Sequence, residues 1–317
     1  MNTPLVSINV LSYNAAPFIE ETLDSIKAQT YHNIELVVSD DASTDETVQI
    51  CKDWLSKNKD RFVNTLLLTV DRNTGVSGNA NRALAASKGA WRKGIGSDDL
   101  LLPDCVENFI RYINSNPDAK FVFGKDIKFR GDFSECNFEK CELPFRALCL
   151  RDSVSARYQH KFLTRQFFGC PPGAFMNIDA VKNVGAFDES HPMNEDHSLY
   201  LRLTKAGIKL WYLDEYVVYR RINMRSISRS KDVYAILSKN QIRSCLNQGS
   251  QYEFQSAFWQ LMTRFEKSLT KKVIDSGNDS RIFKCRFYNF LRRWLNPFKW
   301  DQIIAILKDK MLNLLGY

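Results

Sequence analysis

The sequence predicts an α/β protein in which a mainly parallel sheet is covered by helices on both faces. Two observations carry this prediction. Apolar, β-branched runs alternate with stretches of helical periodicity over the first hundred residues, and several of the predicted strands end in polar or acidic turns. Alternation at this spacing is typical of parallel sheets. The 317 residues, 44% of them hydrophobic, are enough for one large domain or two smaller ones.

The predicted elements follow one another along the chain. Apolar, β-branched runs predict strands, and apolar residues at helical spacing predict the helices between them. The predicted strands are 5–11, 34–39, 64–70, 91–96 and 121–123, and the predicted helices are 16–29, 44–55, 77–88 and one that begins at Pro103. Residues 125–170 are less regular. An amphipathic helix is predicted at 196–206, closed by Gly207, and the pattern beyond 230 is largely helical.

Composition excludes several classes of protein. No run of about 18 uncharged apolar residues predicts a transmembrane helix, and the first residues lack the pattern of a secretion signal. The eight cysteines form no CxxC pair, which favours reduced thiols over a zinc site or disulfides. We therefore expect a cytoplasmic protein.

The net charge of +8 is distributed unevenly. Residues 1–219 hold 25 Lys+Arg against 29 Asp+Glu, residues 220–243 hold seven against one, and residues 281–317 hold eight against two. No RNA-recognition, zinc-finger or helix-turn-helix signature accompanies this charge, so we expect no nucleic-acid partner. The chain is an acidic body with two basic clusters.

Polar residues follow three of the predicted strands. Ligands of parallel sheets bind outside the carboxyl ends of the strands, and this rule selects residues 12–14, 40–45 and 97–99. Within 40–45, Ser43 and Glu46 predict a capping box for the next helix, which leaves Asp40 unexplained. We expect Asp40 at the strand end, facing the ligand crevice, where its carboxylate could accept a hydrogen bond from a base such as uracil.

Two acidic pairs suggest chemistry. Asp98 and Asp99 repel each other, and a hard cation such as Mg²⁺ or Mn²⁺, bound together with phosphate oxygens, would neutralise them. The alternative is a solvated loop. Glu195 and Asp196 lie where a helix should begin. They could be ordinary first-turn acids, or a general base that takes a proton from an attacking hydroxyl.

Six motifs in this order resemble the family 2 inverting glycosyltransferases, nucleotide-sugar enzymes of the GT-A fold. They are VSINVLSYN (6–14), ELVVSDDASTDET (35–47), NTGVSGNANRAL (73–84), GSDDLLLPD (96–104), NVGAFDES (183–190) and NEDHSLYLRL (194–203). The resemblance covers about residues 4–222. It implies a GT-A catalytic domain at 1–222, with a nucleotide-sugar half at 1–103 and an acceptor half at 104–222. Residues 223–317 follow as a region that the sequence pattern predicts to be helical.

The resemblance also implies roles for individual residues. Asp196 would be the catalytic base, with Glu195 orienting the acceptor, and Asp99 would hold a divalent cation, Mn²⁺ or Mg²⁺, on the donor diphosphate. The residues that would bind the nucleotide part of a UDP-sugar are Tyr13, Asn14, Asp40, Arg82 and Asp98. Gly173 and Phe175 fall in the acceptor-side segment. The implied mechanism is a single displacement with inversion.

The chain departs from the family pattern at two places. Gly96 stands where the commonest form, Asp-x-Asp-Asp, has its first aspartate, although a shorter two-aspartate form also occurs. The His that follows the Tyr-Arg pair in many members is absent. Arg220, Arg221 or Arg225 could neutralise the diphosphate instead, and a solvated basic face is the alternative.

The C-terminal tail, residues 281–317, is rich in aromatic residues, with eight among 37. Phe283, Phe287, Phe290, Leu291 and Trp294 fall on one helical face, with arginines opposite or on the flank. A basic helix of this kind suits an anionic membrane surface. A hairpin packed on the catalytic domain, or a homodimer contact, is the alternative.

We therefore expect an enzyme at the inner face of the cell membrane. It would add a hexose from a UDP-sugar to a lipid-linked oligosaccharide, as in O-antigen or capsule assembly. One alternative is a transferase that acts on a protein or a soluble glycan. Another is a catalytically inactive module that keeps the fold as a scaffold.

Overall fold

The computed structural model describes residues 3–131, 138–139, 149–150, 152–163, 173–190, 195–222 and 283–294, together with a few helical residues between 261 and 275. The chain divides into two compact units. The first consists of Met1–Leu163 and Phe168–Ser226, and the second of Thr164–Phe167 and Ile227–Tyr317.

The described part of the first unit contains nine strands, seven α-helices and one short 3-10 helix, Lys59–Arg61. The strands are β1 (Val6–Ser12), β2 (Ile34–Asp40), β3 (Asn64–Leu68), β4 (Trp91–Gly96), β5 (Leu100–Leu101), β6 (Phe121–Arg130), β7 (Phe138–Glu139), β8 (Ala174–Asn177) and β9 (Leu210–Ile222). The helices are α1 (Ile19–Lys27), α2 (Thr47–Asn58), α3 (Gly75–Ala86), α4 (Cys105–Ser115), α5 (Ala156–Leu163), α6 (Ile178–Asn183) and α7 (Glu195–Lys205).

All nine strands belong to one sheet, in the order β3-β2-β1-β4-β8-β6-β9-β5, with β7 beside β6. Strands β1 to β4 are parallel, and β6 is parallel to β9. Strand β8 runs antiparallel between β4 and β6. This mixed sheet, accompanied by helices, confirms the predicted fold class.

The core follows from the alternation of the strands and the spacing of the helices. Every residue of β2 is buried, as expected for a central parallel strand that is covered on both faces. Helix α1 buries Ile19, Leu23 and Ile26 along one face, which is the spacing of an amphipathic helix. Helix α1 therefore forms where a helix was predicted, because it has an apolar face to bury against this sheet.

Two local predictions were wrong, and one short strand was missed. Helix α2 begins at Thr47, its N-cap residue Glu46 makes no capping hydrogen bond, and the Thr47 amide donates instead to Asp45 Oδ1 over 3.0 Å, so Ser43 and Glu46 do not form the predicted capping box. Strand β6 continues to Arg130, into the stretch predicted to be irregular, because it pairs with β9 along most of its length. The two-residue strand β5 was not predicted, since a pair of leucines carries no periodic signal.

The described cysteines of the first unit are unreactive thiols. Cys51, Cys105 and Cys149 are buried and form no disulfide. Burial is the main cause that raises the pKa of each thiol to about 12. The thiolate is the reactive form of cysteine, and a raised pKa keeps these three thiols protonated at neutral pH. The three cysteines therefore pack as small apolar residues.

The second unit includes helix α8 (Phe283–Trp294). Its side chains Phe283, Phe287 and Phe290 are 73%, 47% and 55% exposed. On a neighbouring helical stretch, the Lys272 ammonium lies 5.5 Å from the centre of the Tyr288 ring. Among the described residues, no helix combines the length and the apolar character needed to cross a membrane.

Candidate functional site

The carboxyl ends of β1, β2 and β4 meet at one edge of the sheet. The strand register pairs Ser12 with Asp40 and Leu11 with Gly96. The three polar segments that follow these strands are therefore neighbours in space, as the position of ligands in parallel sheets predicts. We call this group of loops the sheet-edge site.

The loops after β1 and β2 are tied together by hydrogen bonds. The Asn14 amide donates to Ser43 Oγ over 2.8 Å, and the Asn14 side-chain oxygen accepts from the Thr44 amide over 2.8 Å. Asn14 has a φ of +49°, a left-handed conformation that asparagine tolerates better than most residues. The turn leaves Tyr13 45% exposed at the sheet-edge site.

Asp40 ends β2, as predicted, but its carboxylate is fully buried. One oxygen accepts from the Ser43 amide over 2.8 Å, and the other accepts from the hydroxyls of Ser12 and Ser43 over 2.9 and 2.6 Å. Asp40 therefore anchors the loop that follows it. A contact between this carboxylate and a nucleotide base stays a prediction.

Asp41 was not among the predicted site residues, yet it organises the start of α3. Its carboxylate accepts from the Thr74 and Gly75 amides over 2.9 and 2.8 Å, and from the Thr74 hydroxyl over 2.6 Å. Burial alone would raise the pKa of Asp41, but the hydrogen bonds from Thr74, Arg82 and Gly75 hold it below its usual range. The adjacent pair of aspartates was the only sequence signal for this role.

Arg82 completes the same network. Its guanidinium lies 3.0 Å from the Asp41 carboxylate and donates to Ser39 Oγ, the Asp40 carbonyl oxygen and the Asn79 side chain. The side chain is 20% exposed. Arg82 thus joins α3 to the end of β2 and leaves only a small part of its surface toward solvent at the sheet-edge site.

Asp98 and Asp99 follow β4 and point to a common space. A Cβ atom on Gly96 would lie 3.2 Å from Asp98 Oδ1 and 3.8 Å from Asp99 Oδ2. The commonest family form has an aspartate at the position of Gly96. Because Gly96 has only a hydrogen atom as its side chain, it leaves room for the Asp98 carboxylate. One oxygen of each carboxylate faces that room.

The two carboxylates lie in an unfavourable environment for negative charge. Burial, and then the charge of Asp98, raise the pKa of Asp99 to about 7. Burial also raises the pKa of Asp98, although Arg221 and Arg220 oppose this shift. Hard oxygen ligands that repel each other suit a divalent cation, whose charge would remove the repulsion.

The metal shell would need further oxygen ligands. Within the described residues, no group of three or more His, Cys, Asp or Glu side chains is arranged to hold a metal ion. A cation at Asp98 and Asp99 would therefore complete its shell with water and phosphate oxygens, as Mg²⁺ commonly does. The carboxylates of Asp98 and Asp99 fit a divalent cation that is bound in this way.

Arg221 holds the aspartate loop in place from β9. Its amide donates to Asp99 Oδ1 over 2.9 Å, and its guanidinium donates to the Asp98 carbonyl oxygen and forms an ion pair with Glu21. The guanidinium also lies 4.8 Å from the centre of the Phe18 ring. Because these contacts occupy its side chain, Arg221 is better suited to positioning the loop than to binding a ligand directly.

Of the other predicted diphosphate residues, Arg220 is half-buried and its charge favours the ionised forms of Asp98 and Asp99. Arg225 lies outside the described residues. Arg220 is therefore the described arginine that remains suited to a ligand phosphate.

Helix α7 begins at Glu195, one residue before the prediction. Asp196 is half-buried and lines a cavity of about 170 Å³ that also reaches Gly94 and Ile95 of β4. The side chain of Glu195 lies outside the described part. The next residue, His197, is buried, and burial lowers its pKa to about 4, so this imidazole is neutral at physiological pH.

Gly173 and Phe175, which the resemblance assigns to the acceptor side, serve the packing of β8. The Gly124 amide donates to the Gly173 carbonyl over 2.8 Å, and a Cβ on Gly173 would lie 2.6 Å from the Gly124 carbonyl oxygen. Phe175 is fully buried and stacks on Trp91 and Phe109 at 5.0 and 4.8 Å. Phe175 belongs to the core, so its effect on an acceptor would be indirect.

The fold and the sheet-edge site define a protein of the GT-A type, with paired aspartates after β4 and an aspartate at the start of α7. Residues 7–184, more than half of the chain, match the family model described as Glycosyl transferase family 2. The chain belongs to this family and is a glycosyltransferase.

Curated relatives differ in length and in what is known of them. The chain is 26% identical over 246 residues to the Escherichia coli UDP-Glc:alpha-D-GlcNAc-diphosphoundecaprenol beta-1,3-glucosyltransferase WfaP, a match that covers 76% of this chain and 86% of WfaP. It is 28% identical over 203 residues to the uncharacterized protein y4gI of Sinorhizobium fredii. There the match covers 63% of this chain but only 20% of the relative.

Solved structures share the fold at low identity. The mannosyltransferase PcManGT from Pyrobaculum calidifontis, in complex with GDP-Man and Mn²⁺, aligns with a TM-score of 0.59 and 18% identity, covering 100% of this chain and 82% of that chain. Residues 1–349 of Staphylococcus aureus TarS, in complex with UDP-GlcNAc, align with a TM-score of 0.58 and 16% identity, covering 98% and 92%. These likenesses establish the fold.

Proposed function

We propose that this glycosyltransferase is inverting and metal-dependent, and that it moves a hexose from a UDP-sugar to a hydroxyl of a lipid-linked oligosaccharide. The observation that carries the proposal is one cavity lined by Gly94 and Ile95 of β4, the strand that the paired aspartates follow, and by Asp196 on α7. A donor diphosphate at the aspartates and an acceptor hydroxyl at Asp196 would then lie on either side of one sugar.

The nucleotide would bind across the sheet-edge site. Tyr13 and the Asn14 turn offer an exposed ring and loop backbone, while Asp40 and Arg82 hold the surrounding loops. The name of WfaP specifies a UDP-sugar donor and the TarS complex holds UDP-GlcNAc, and both support a UDP-sugar here. On this proposal, residues 1–103 bind the nucleotide sugar and residues 104–222 complete the catalytic domain on the acceptor side.

Asp99 and Asp98 would hold a divalent cation, Mn²⁺ or Mg²⁺. When bound, this cation would stabilise the negative charge that develops on the departing diphosphate. The Mn²⁺ in the PcManGT complex supports this assignment. Arg220, whose charge already acts on both aspartates, would add positive charge to the same leaving group, with Arg225 a further candidate.

Asp196 would act as the general base. Its carboxylate takes the proton of the acceptor hydroxyl as that oxygen forms a bond to the anomeric carbon, while the bond from this carbon to the diphosphate oxygen breaks. The attack comes from the face opposite the diphosphate, so the configuration inverts. Glu195, at the first position of the same helix, would orient the acceptor.

The acceptor and the location in the cell rest on two further observations. WfaP is named for transfer to a sugar on diphosphoundecaprenol. Helix α8 presents three exposed phenylalanines together with the exposed basic side chains of Lys284 and Arg286. We infer that the C-terminal region 223–317, which the sequence predicts to be helical, holds the enzyme on the inner face of the cell membrane, in surface-polysaccharide assembly such as that of O-antigen or capsule. Homodimer formation through this region is the alternative.

Asp196→Asn tests the catalytic assignment. The amide cannot accept the proton at neutral pH, so we expect transfer to fall by at least 100-fold, while UDP binding with Mn²⁺ stays within about twofold in calorimetry. Undiminished transfer by this variant would refute the role of Asp196. Asp99→Asn is the matched comparison, because it should weaken the Mn²⁺-dependent UDP binding itself.

The same titrations separate the enzyme from an inactive scaffold. A scaffold would bind no UDP in a metal-dependent way and would turn over no donor. A panel of lipid-linked, protein and soluble glycan acceptors would then distinguish the proposed acceptor class from the alternative transferases.

A further inference from the structure

The cavity beneath Asp196 has an unusual lining for a sugar site. Among the thirteen described residues that line it, only three carry a polar side-chain atom: Arg92, Asp196 and Tyr200. The walls of the cavity come mainly from the sheet, from helix α3 and from helix α7. Apolar side chains in these walls include Val76, Ala80, Met176, Phe187 and Leu199. The cavity is therefore apolar over most of its surface.

Its size and its mouth suit part of one sugar. A volume of about 170 Å³ is enough to hold several water molecules. Val76 is 49% exposed and Asp196 is half-buried, whereas Leu199 is fully buried. The cavity thus opens at its Val76 and Asp196 side and ends among apolar side chains.

The Arg92 side chain in the cavity wall is already engaged. The Arg92 guanidinium donates to the Asn9 side chain and lies 5.1 Å from the centre of the Phe187 ring. A Cβ on Gly94 would lie 2.8 Å from this guanidinium, so the glycine allows Arg92 to lie flat along the sheet. The arrangement keeps the interior of the cavity open and apolar.

We propose that this cavity selects a donor sugar that carries a methyl group, either in an acetamido substituent or as a 6-deoxy carbon. This inference rests on the proposed function, since it assumes that the sugar lies between the paired aspartates and Asp196. A methyl group fills an apolar cavity and releases poorly bonded water. A hydroxyl in the same position would lose its hydrogen bonds to water without replacement.

The expected discrimination is modest but measurable. An apolar pocket separates substrates that differ by one methyl or one hydroxyl group by roughly 10- to 200-fold. We therefore expect a methyl-bearing donor to exceed its plain hexose counterpart by about 10-fold or more in affinity and in kcat/KM.

The experiment compares donors in matched pairs. Calorimetry with Mn²⁺ would measure the Kd of UDP-glucose, UDP-N-acetylglucosamine and UDP-6-deoxyglucose, and of the same three forms in the galacto configuration, with UDP as the reference. The acetamido and 6-deoxy arms distinguish the two sources of the methyl group. The proposal is overturned if the plain hexoses bind as tightly as both methyl-bearing forms.

Two variants connect the preference to the cavity. Ala80→Leu on α3 and Ala174→Val on β8 would each fill part of it, so we expect the methyl preference to fall to about twofold while UDP affinity is unchanged. Ala85→Leu adds the same volume at an exposed position of α3 and should keep the preference. A preference that survives both filling variants, with UDP still bound, overturns this proposal but leaves the proposed function intact. Failure of wild-type protein to bind UDP or any UDP-sugar would refute both.

Discussion

His197 makes the stability of this protein depend on pH in a predictable direction. It is 7% exposed, and burial lowers its pKa from 6.5 to about 4, although a hydrogen bond with the Leu163 backbone opposes the shift. Between these values the unfolded chain binds a proton that the folded chain excludes. The free energy of unfolding should therefore fall as pH drops from about 6.5 toward 4, and it should be unaffected by His197 above pH 7.

The magnitude follows from the shift. Each pKa unit corresponds to about 1.4 kcal/mol, so the loss between pH 7.5 and 4.5 amounts to roughly 2–3 kcal/mol. Urea unfolding, followed by tryptophan fluorescence at several pH values, would measure it. His197→Gln should remove this part of the pH dependence, whatever its effect on stability at pH 7.5.

Other groups also titrate in this range, so the comparison between variants decides the outcome. His32→Gln removes an exposed histidine and should leave the slope of the wild-type protein unchanged. If wild-type protein and His197→Gln lose the same stability between pH 7.5 and 4.5, the argument from burial is wrong.

Three further predictions concern other parts of the chain. Gly173→Ala should lower the free energy of unfolding by about 1–3 kcal/mol, measured by urea unfolding, because its Cβ would meet the Gly124 carbonyl oxygen at 2.6 Å. Arg221→Ala should weaken Mn²⁺-dependent UDP binding about 10-fold or more in calorimetry, since its guanidinium holds the Asp98 carbonyl and Glu21; an unchanged Kd would contradict the positioning role. Replacing the three exposed phenylalanines of α8 by serine should reduce sedimentation with anionic vesicles at least 10-fold, whereas equal binding by both proteins would argue against the membrane proposal.

Much of the candidate site could be predicted from the sequence. Ser12, Asp40 and Gly96 lie at the ends of adjacent parallel strands, and this convergence follows from the strand–helix alternation alone. Asp196 lies in the first turn of α7, again close to prediction. These features depend on local periodicity and on a general rule of parallel sheets, so the chain order is enough to predict them.

Other features depend on which side chains meet across the fold. Ser43 matches a capping box in sequence, yet its hydroxyl bonds to Asp40 and accepts from Asn14. Arg221 was one of three arginines named as candidates to neutralise a diphosphate, and in the structure its side chain holds the loop of Asp98. In both cases, a partner more than 25 residues away competes with the local pattern.

The sequence by itself determined the order of strands and helices, the edge where ligands should bind and the acidic residues gathered there, because each depends on periodicity or on position within a short motif. Only the tertiary structure decided how these residues are used. It buried Asp40 and Phe175, turned Arg221 toward the aspartate loop and left an apolar cavity beneath Asp196. The physical reason is that burial, hydrogen-bond competition and cavity shape arise between segments far apart in the chain, where local pattern carries no information.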